Sequence, residues 1–208
     1  MLAGYLVTSQ NHYRRTARKL RAVGVDDGAF APHIRSGQHT ILVAVLFRDL
    51  SLHTIRVGRI EVDGTDATSV LLSMIRNLRF DVVMLSGISF GGFNLINLSK
   101  LARALGKPVI AVSGKKPENV AVEKALRSHF NDWKDRMKIV RAAGRIHSIK
   151  PLAAEPALYF EVKGCSAVFA KDVIRSYAII SRLPEPIRVA GILARGLSRL
   201  PFARVRLP

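Results

Sequence analysis

The stretch Phe80–Asn97, FDVVMLSGISFGGFNLIN, constrains the fold of this chain more than any other part of it. It opens on Val82–Leu85, an apolar run rich in β-branched residues, which reads as a strand buried on both faces. The following Ser86–Gly92, SGISFGG, is a turn that only a glycine-rich sequence makes easily. Phe93, Leu95, Ile96, Leu98, Leu101, Ala104 and Leu105 then form an apolar helical pattern, closed by Gly106 as a C-cap with Pro108 just beyond. Val109–Val112 is a second buried strand. Strand, turn, helix, strand is a βαβ unit, so part of the sheet is parallel. In such sheets binding sites gather at the carboxyl ends of the strands. Ser86–Gly92 and Ser113–Lys116 occupy those ends.

The remaining patterns add to this unit. Ala22–Asp26 predicts a short strand. Thr40–Phe47 and Thr54–Val62 predict an antiparallel pair joined by the polar link Arg48–His53. In the second of these, Ile55, Val57, Ile60 and Val62 alternate with Arg56, Arg59 and Glu61, which predicts an edge position with one wet face and a bulge at Gly58. Ala67–Leu78 is amphipathic, and Pro117 suits the first turn of a helix that would bury Val120, Val122, Ala125, Leu126 and Phe130. A strand at Ala157–Val162 and helices at Ser166–Ile180 and Ile187–Leu200 complete the pattern. No internal repeat or linker divides the chain. One α/β domain over residues 21–208 is expected, preceded by a basic arm or helix at 1–20 carrying His12, Arg14, Arg15, Arg18 and Lys19.

Charge narrows the partners. Thirty-three Lys and Arg oppose 15 Asp and Glu, a formal net charge of +18. Such an imbalance costs self-repulsion and points to an anionic partner. Nucleic acid leads, ahead of an acidic membrane surface or an acidic protein. No apolar run approaches the roughly 20 residues of a membrane span. The single cysteine, Cys165, excludes an intrachain disulfide framework, and the six histidines lack zinc-ligand spacing. A cytoplasmic protein fits.

Three places carry candidate chemistry. Asp26-Asp27-Gly28 closes the first strand: the pair either makes a turn or supplies hard oxygen ligands for Mg²⁺ or Mn²⁺. Asp66, at the start of a helix, is a cap or a first-turn carboxylate favoured by the helix dipole. Lys115 and Lys116 lie just past a strand's carboxyl end, where cations suit phosphate. The GKKP they belong to lacks the spacing of a phosphate-binding P-loop.

Together these segments resemble endonuclease V, and more closely a largely archaeal family related to it, domain of unknown function ninety-nine. The residues that carry the likeness are Gly24–Gly28, Val62–Thr68, Met84–Asn94, Lys115–Pro117, Glu123–Leu126 and Leu183–Ala190. The resemblance implies a ribonuclease-H-like mixed sheet, with strands 1–3 antiparallel and strands 1, 4 and 5 parallel, flanked by helices. It also implies a divalent metal, Mg²⁺ or Mn²⁺, held by carboxylates, and a nucleic-acid substrate cut at a phosphodiester. Carried over residue by residue, Asp26 matches the first-strand aspartate and Asp66 falls near the helix carboxylate, with Asp27 as a further ligand. Lys115 matches the lysine beyond the fifth strand. The expected cleft is floored by Ser86, Gly87, Ser89, Phe90, Gly91, Gly92 and Phe93, with Lys116 at its edge. Two departures stand out. Ser86 replaces the fourth-strand aspartate, and Gly164-Cys165-Ser166 replaces a histidine-bearing turn. Removing a carboxylate weakens a metal site built from carboxylates and water, so a nucleic-acid-binding protein that does not cut is the alternative expectation.

Overall fold

The computed structural model describes residues 20–30, 37–48 and 50–199. The basic cluster at 12–19 lies outside the described residues. Seven strands form one mixed sheet. The first three are β1 (Arg21–Asp27), β2 (His39–Arg48) and β3 (Ser51–Glu61), a consecutive antiparallel set. Helix α1 (Ala67–Ile75) leads to β4 (Val82–Leu85), which pairs parallel with β1. A two-stranded hairpin, β5 (Ser89–Phe90) and β6 (Asn94–Leu95), precedes α2 (Leu98–Leu105) and β7 (Val109–Ser113), and β7 is parallel to β4. Then come α3 (Asn119–His129), α4 (Trp133–Ala143), β8 (His147–Ile149), β9 (Leu158–Lys163), α5 (Ala167–Tyr177) and α6 (Glu185–Leu197). The sheet order is β3-β2-β1-β4-β7-β9-β8, with β9 antiparallel to β7. The expected antiparallel and parallel sets are both present.

Alternation along β1 divides the core. Ala22 packs with β2, α5 and α6 on one face, while Val23 and Val25 pack with α1 and α2 on the other. Continuing the period of two sends Asp26 toward α6 and Asp27 toward the opposite layer. Helix α6 sits unusually close to β1. A Cβ at Gly24 would lie 2.1 Å from the backbone carbon of Pro186, and one at Gly191 would lie 2.3 Å from Asp26 Oδ2. At Gly24 the obstacle is backbone, so only glycine there lets the helix rest on the strand, whereas at Gly191 the atoms met are side-chain ends.

The structure corrects several expectations. The apolar run after Gly92 is not helical from Phe93. It makes the short hairpin first, and the helix starts only where Asn97 accepts a hydrogen bond from the Lys100 amide, 2.9 Å. The β2–β3 connection is tighter than the polar link suggested, since Arg48 already pairs with Ser51. Edge strand β3 leaves Ile55 and Val57 exposed, because α1 covers the opposite face of that strand, the face that carries Gly58. The register irregularity falls at Leu46/Phe47 rather than at Gly58, whose missing side chain instead makes room for Met74 and Val70 of α1. Val120 is 85% exposed, so α3 buries chiefly Leu126. No described helix is long and apolar enough to cross a membrane.

Candidate active site

Parallel pairing places the carboxyl ends of β1, β4 and β7 side by side. Val25 pairs with Leu85 and Leu85 with Ala111, so Asp26, Ser86 and Val112 stand next in line. Neighbouring strands are about 4.8 Å apart, so the end of β1 lies about 10 Å from the end of β7, where the Ser113–Lys116 loop begins. Lys115 and Lys116 are exposed in that loop, and the Ser113 hydroxyl closes it by donating to the Lys115 carbonyl, 2.6 Å. Asp26 and Lys115 therefore share one rim.

Asp26 is held tightly. Its Oδ1 accepts the backbone amide of Asp27 at 3.0 Å, and the Ser86 hydroxyl hydrogen-bonds to its side chain. Arg195 of α6 stands 3.8 Å from Oδ2. Only 14% of the Asp26 side chain is exposed. Burial, helped by repulsion from Asp27, pushes its pKa up to about 6, against the pull of Ser86 and Arg195. On the other side of the strand, Asp27 Oδ2 accepts the Gly91 amide at 2.6 Å. Burial raises its pKa also, and its side chain interacts directly with that of Asp26. The result is a desolvated carboxylate pair beside a cation, Arg195, that is within ion-pair range but not in hydrogen-bond contact.

The pair fits a hard divalent cation on the chemistry of its donors. Mg²⁺ commonly takes one or two carboxylates and leaves its other positions to water and a substrate phosphate. It does not fit the three-carboxylate set expected from the sequence. Among the described residues no three His, Cys, Asp or Glu side chains are gathered to hold an ion. Asp66 is engaged elsewhere. Its carboxylate accepts the Asn94 side-chain amide at 2.5 Å and the Glu61 backbone amide at 3.2 Å, and it fastens β3 and β6 to the start of α1. Asp63, a further carboxylate of that turn, accepts the Phe93 amide at 2.8 Å.

The glycine-rich stretch divides. Ser86 and Gly87 line a cleft of about 400 Å³ with Ser113, Gly114, Leu158 and Arg182. Ser89–Phe93 instead forms the β5–β6 hairpin, whose Ser89 hydroxyl closes onto the Gly92 carbonyl. Phe90 is 1% exposed and belongs to the core, and Phe93 meets Phe130 edge to face. Phe90 and Phe93 are packing residues rather than a cleft floor, because the hairpin folds back against α1. From the hairpin, the Gly91 amide reaches the acidic pair.

Two residues carry roles that the sequence patterns did not single out. Arg195 is one of several arginines on the last helix. The available signal was its position one turn after Gly191, which puts a small residue and a cation on one stripe of α6. Arg136 is 7% exposed and donates to the carbonyls of Asp63 (2.8 Å), Gly64 (3.0 Å) and Phe93 (2.7 Å) and to the Asp132 carboxylate (2.9 Å). Nothing in its surroundings along the chain announces that role.

The mixed sheet flanked by helices is the fold shared with endonuclease V. The chain aligns with Ciona intestinalis endonuclease V, solved in complex with a 24mer DNA containing an inosine followed by a ribo-adenosine, at a TM-score of 0.54 and 13% identity, covering 95% of this chain and 96% of that one. A protein of unknown function from Archaeoglobus fulgidus aligns at a TM-score of 0.75 and 27% identity, over 86% of this chain and 98% of the other. The chain belongs to the endonuclease dU family, whose model matches residues 18–198. The UPF0215 protein of Pyrococcus furiosus is 36% identical over 191 residues, spanning 89% of this chain and 96% of that protein. The one from Methanothermobacter thermautotrophicus is 34% identical over 199 residues, spanning 93% and 95%.

Proposed function

We propose that this chain is a divalent-metal-dependent endonuclease that binds nucleic acid across the carboxyl ends of β1, β4 and β7 and acts on DNA containing deoxyuridine. The observation that carries the reading is the Asp26–Asp27 pair, buried at the end of a parallel strand on the same rim as Lys115. Family membership supports the reaction class and the deoxyuridine preference. A strongly cationic chain suits a polyanionic substrate. Asp26 and Asp27 would hold Mg²⁺ or Mn²⁺, and Ser86 would orient Asp26. Bound there, such an ion would supply an activated water and charge neutralisation at the phosphodiester. Lys115 contributes a point charge for a strand phosphate, with Lys116 beside it. Asp66 acts through the fold, by fixing the turn that carries the hairpin and so the Gly91 donor to Asp27.

The test is cleavage of single- and double-stranded oligonucleotides carrying one deoxyuridine, with inosine-containing and unmodified strands as controls, in Mn²⁺ or Mg²⁺. Cleavage that falls at least about a hundredfold in Asp26→Ala supports the reading. No cleavage by the native protein, or unchanged cleavage by the variant, removes the enzyme claim. A second reading, a nucleic-acid-binding protein that does not cut, is favoured by Ser86 standing where the endonuclease V resemblance puts a carboxylate. Its signature is binding that weakens steeply with salt and is indifferent to divalent metal.

A further inference from the structure

We propose that Arg195 is a phosphate-binding residue of this site, its guanidinium taking the strand phosphate that lies over the Asp26–Asp27 pair. The inference rests on the nucleic-acid reading above and names the residue that lets an acidic strand end accept a polyanion. A phosphodiester approaching two carboxylates is repelled by both. The cation that offsets this must sit beside them, keep hydrogen-bond donors free and be held in place.

Arg195 meets all three conditions. It stands 3.8 Å from Asp26 Oδ2, which is ion-pair range but beyond a hydrogen bond, and its charge acts on Asp27 too. Its guanidinium donates no hydrogen bond among the described residues, and its side chain is 58% exposed. Five other arginines are committed to carboxylates by hydrogen-bonded pairs: Arg21 to Asp81, Arg127 and Arg141 to Glu123, Arg136 to Asp132 and Arg188 to Glu185. Position comes from the helix beneath. The guanidinium lies across Gly191, with Nη1 and Nη2 only 3.0 and 3.3 Å from where a Cβ would be. Helix α6 is pinned to β1 by the Gly24–Pro186 contact and, at its far end, by the Ala29 amide donating to Ser198 Oγ, 3.0 Å. A planar fork of free N–H groups held at such a place is suited to the two non-bridging oxygens of one phosphate.

A phosphate-neutralisation cycle tests this without requiring cleavage. Native protein and Arg195→Met are titrated, in EDTA, with a deoxyuridine oligonucleotide in which single phosphates are replaced in turn by uncharged methylphosphonate. One position near the deoxyuridine is expected to cost the native protein about tenfold in affinity and the variant nothing further. The variant's salt slope should be shallower by about 1. Arg195→Lys, which keeps the charge without the fork, should fall between, and it carries the cycle if the methionine variant melts early. Arg76→Met, at the distant end of α1, should retain the full native penalty at that position. Equal penalties in the native protein and Arg195→Met at every phosphate overturn the assignment and leave the endonuclease reading standing. Absence of binding by the native protein overturns both.

Discussion

Two acidic clusters flank the β5–β6 hairpin, and they are built on opposite terms. In the turn between β3 and α1, Asp63 is exposed and Asp66 half-buried, and both accept hydrogen bonds from neighbouring elements. Asn94, the Glu61 amide and the Phe93 amide serve the carboxylates, while Arg136 collects the neighbouring carbonyls. At the end of β1, Asp26 and Asp27 also accept hydrogen bonds, but they are buried beside one another, and burial makes both titrate higher than free aspartate. Carboxylates satisfied by hydrogen bonds serve the fold. Carboxylates left desolvated and crowded cost stability, and the arrangement persists where a ligand relieves it.

The largest stability effect should come from the satisfied cluster. Replacing Arg136 by Met leaves three carbonyls and the Asp132 carboxylate without their donor. At roughly 1 kcal/mol per lost hydrogen bond, the four lost bonds predict a loss of about 4 kcal/mol, read as a lower denaturation midpoint at unchanged m-value. A loss near zero would mean that the hairpin holds its place without α4.

Asp26→Asn should move stability the other way. A carboxyl whose folded pKa lies above its unfolded value binds protons more tightly when folded, so stability is greatest at low pH and falls as pH rises from about 4 to about 6. A pKa raised from 3.8 to about 6 corresponds to at most about 3 kcal/mol, and residual solvent contact reduces this to about 2 kcal/mol. In metal-free buffer, the asparagine variant should therefore melt above the native protein at pH 7.5 and lose that advantage at pH 4.5. Destabilisation at both pH values would show that Asp26 is a structural residue like Asp66. Added Mn²⁺ should raise the melting temperature of the native protein and not that of the variant.

Asp66→Ala should cost about 2 kcal/mol, because the Asn94 side chain and the Glu61 amide lose their acceptor. The loss should persist from pH 5 to pH 8 and be indifferent to Mn²⁺. A metal-dependent difference between variant and native protein would bring Asp66 back among the ligands.

Much of the frame was legible in the chain because it is written in local periodicities. The apolar runs at Val82–Leu85 and Val109–Val112 are buried strands, and the two parallel pairings follow from the helix between them. What escaped depends on distant partners. Phe90 and Phe93 look like the lining of a glycine-rich mouth until α1 and Phe130 are seen to cover them. Asp66 has the sequence surroundings of a ligand, and the partner its carboxylate meets, Asn94, stands 28 positions away. Arg195 gains its meaning only because Gly24 and Gly191 let α6 reach the end of β1. Side chains used within one element announce themselves; those used between elements do not.

Gly191→Ala should give the smallest change in stability and the sharpest separation of the two clusters. The added methyl would meet Asp26 Oδ2 at 2.3 Å and the Arg195 guanidinium at 3.0 Å. Both are the mobile ends of side chains, so they can swing aside while the helix stays docked. Alanine also suits a helix interior better than glycine by about 1 kcal/mol, which offsets part of the strain. The melting temperature should shift by no more than a few degrees, while Mn²⁺-induced stabilisation and oligonucleotide affinity both fall, since the carboxylate and the guanidinium leave their positions together. A collapse as large as that of Arg136→Met would show that the end of β1 carries the fold as heavily as the hairpin turn does, and the distinction between the two clusters would fail.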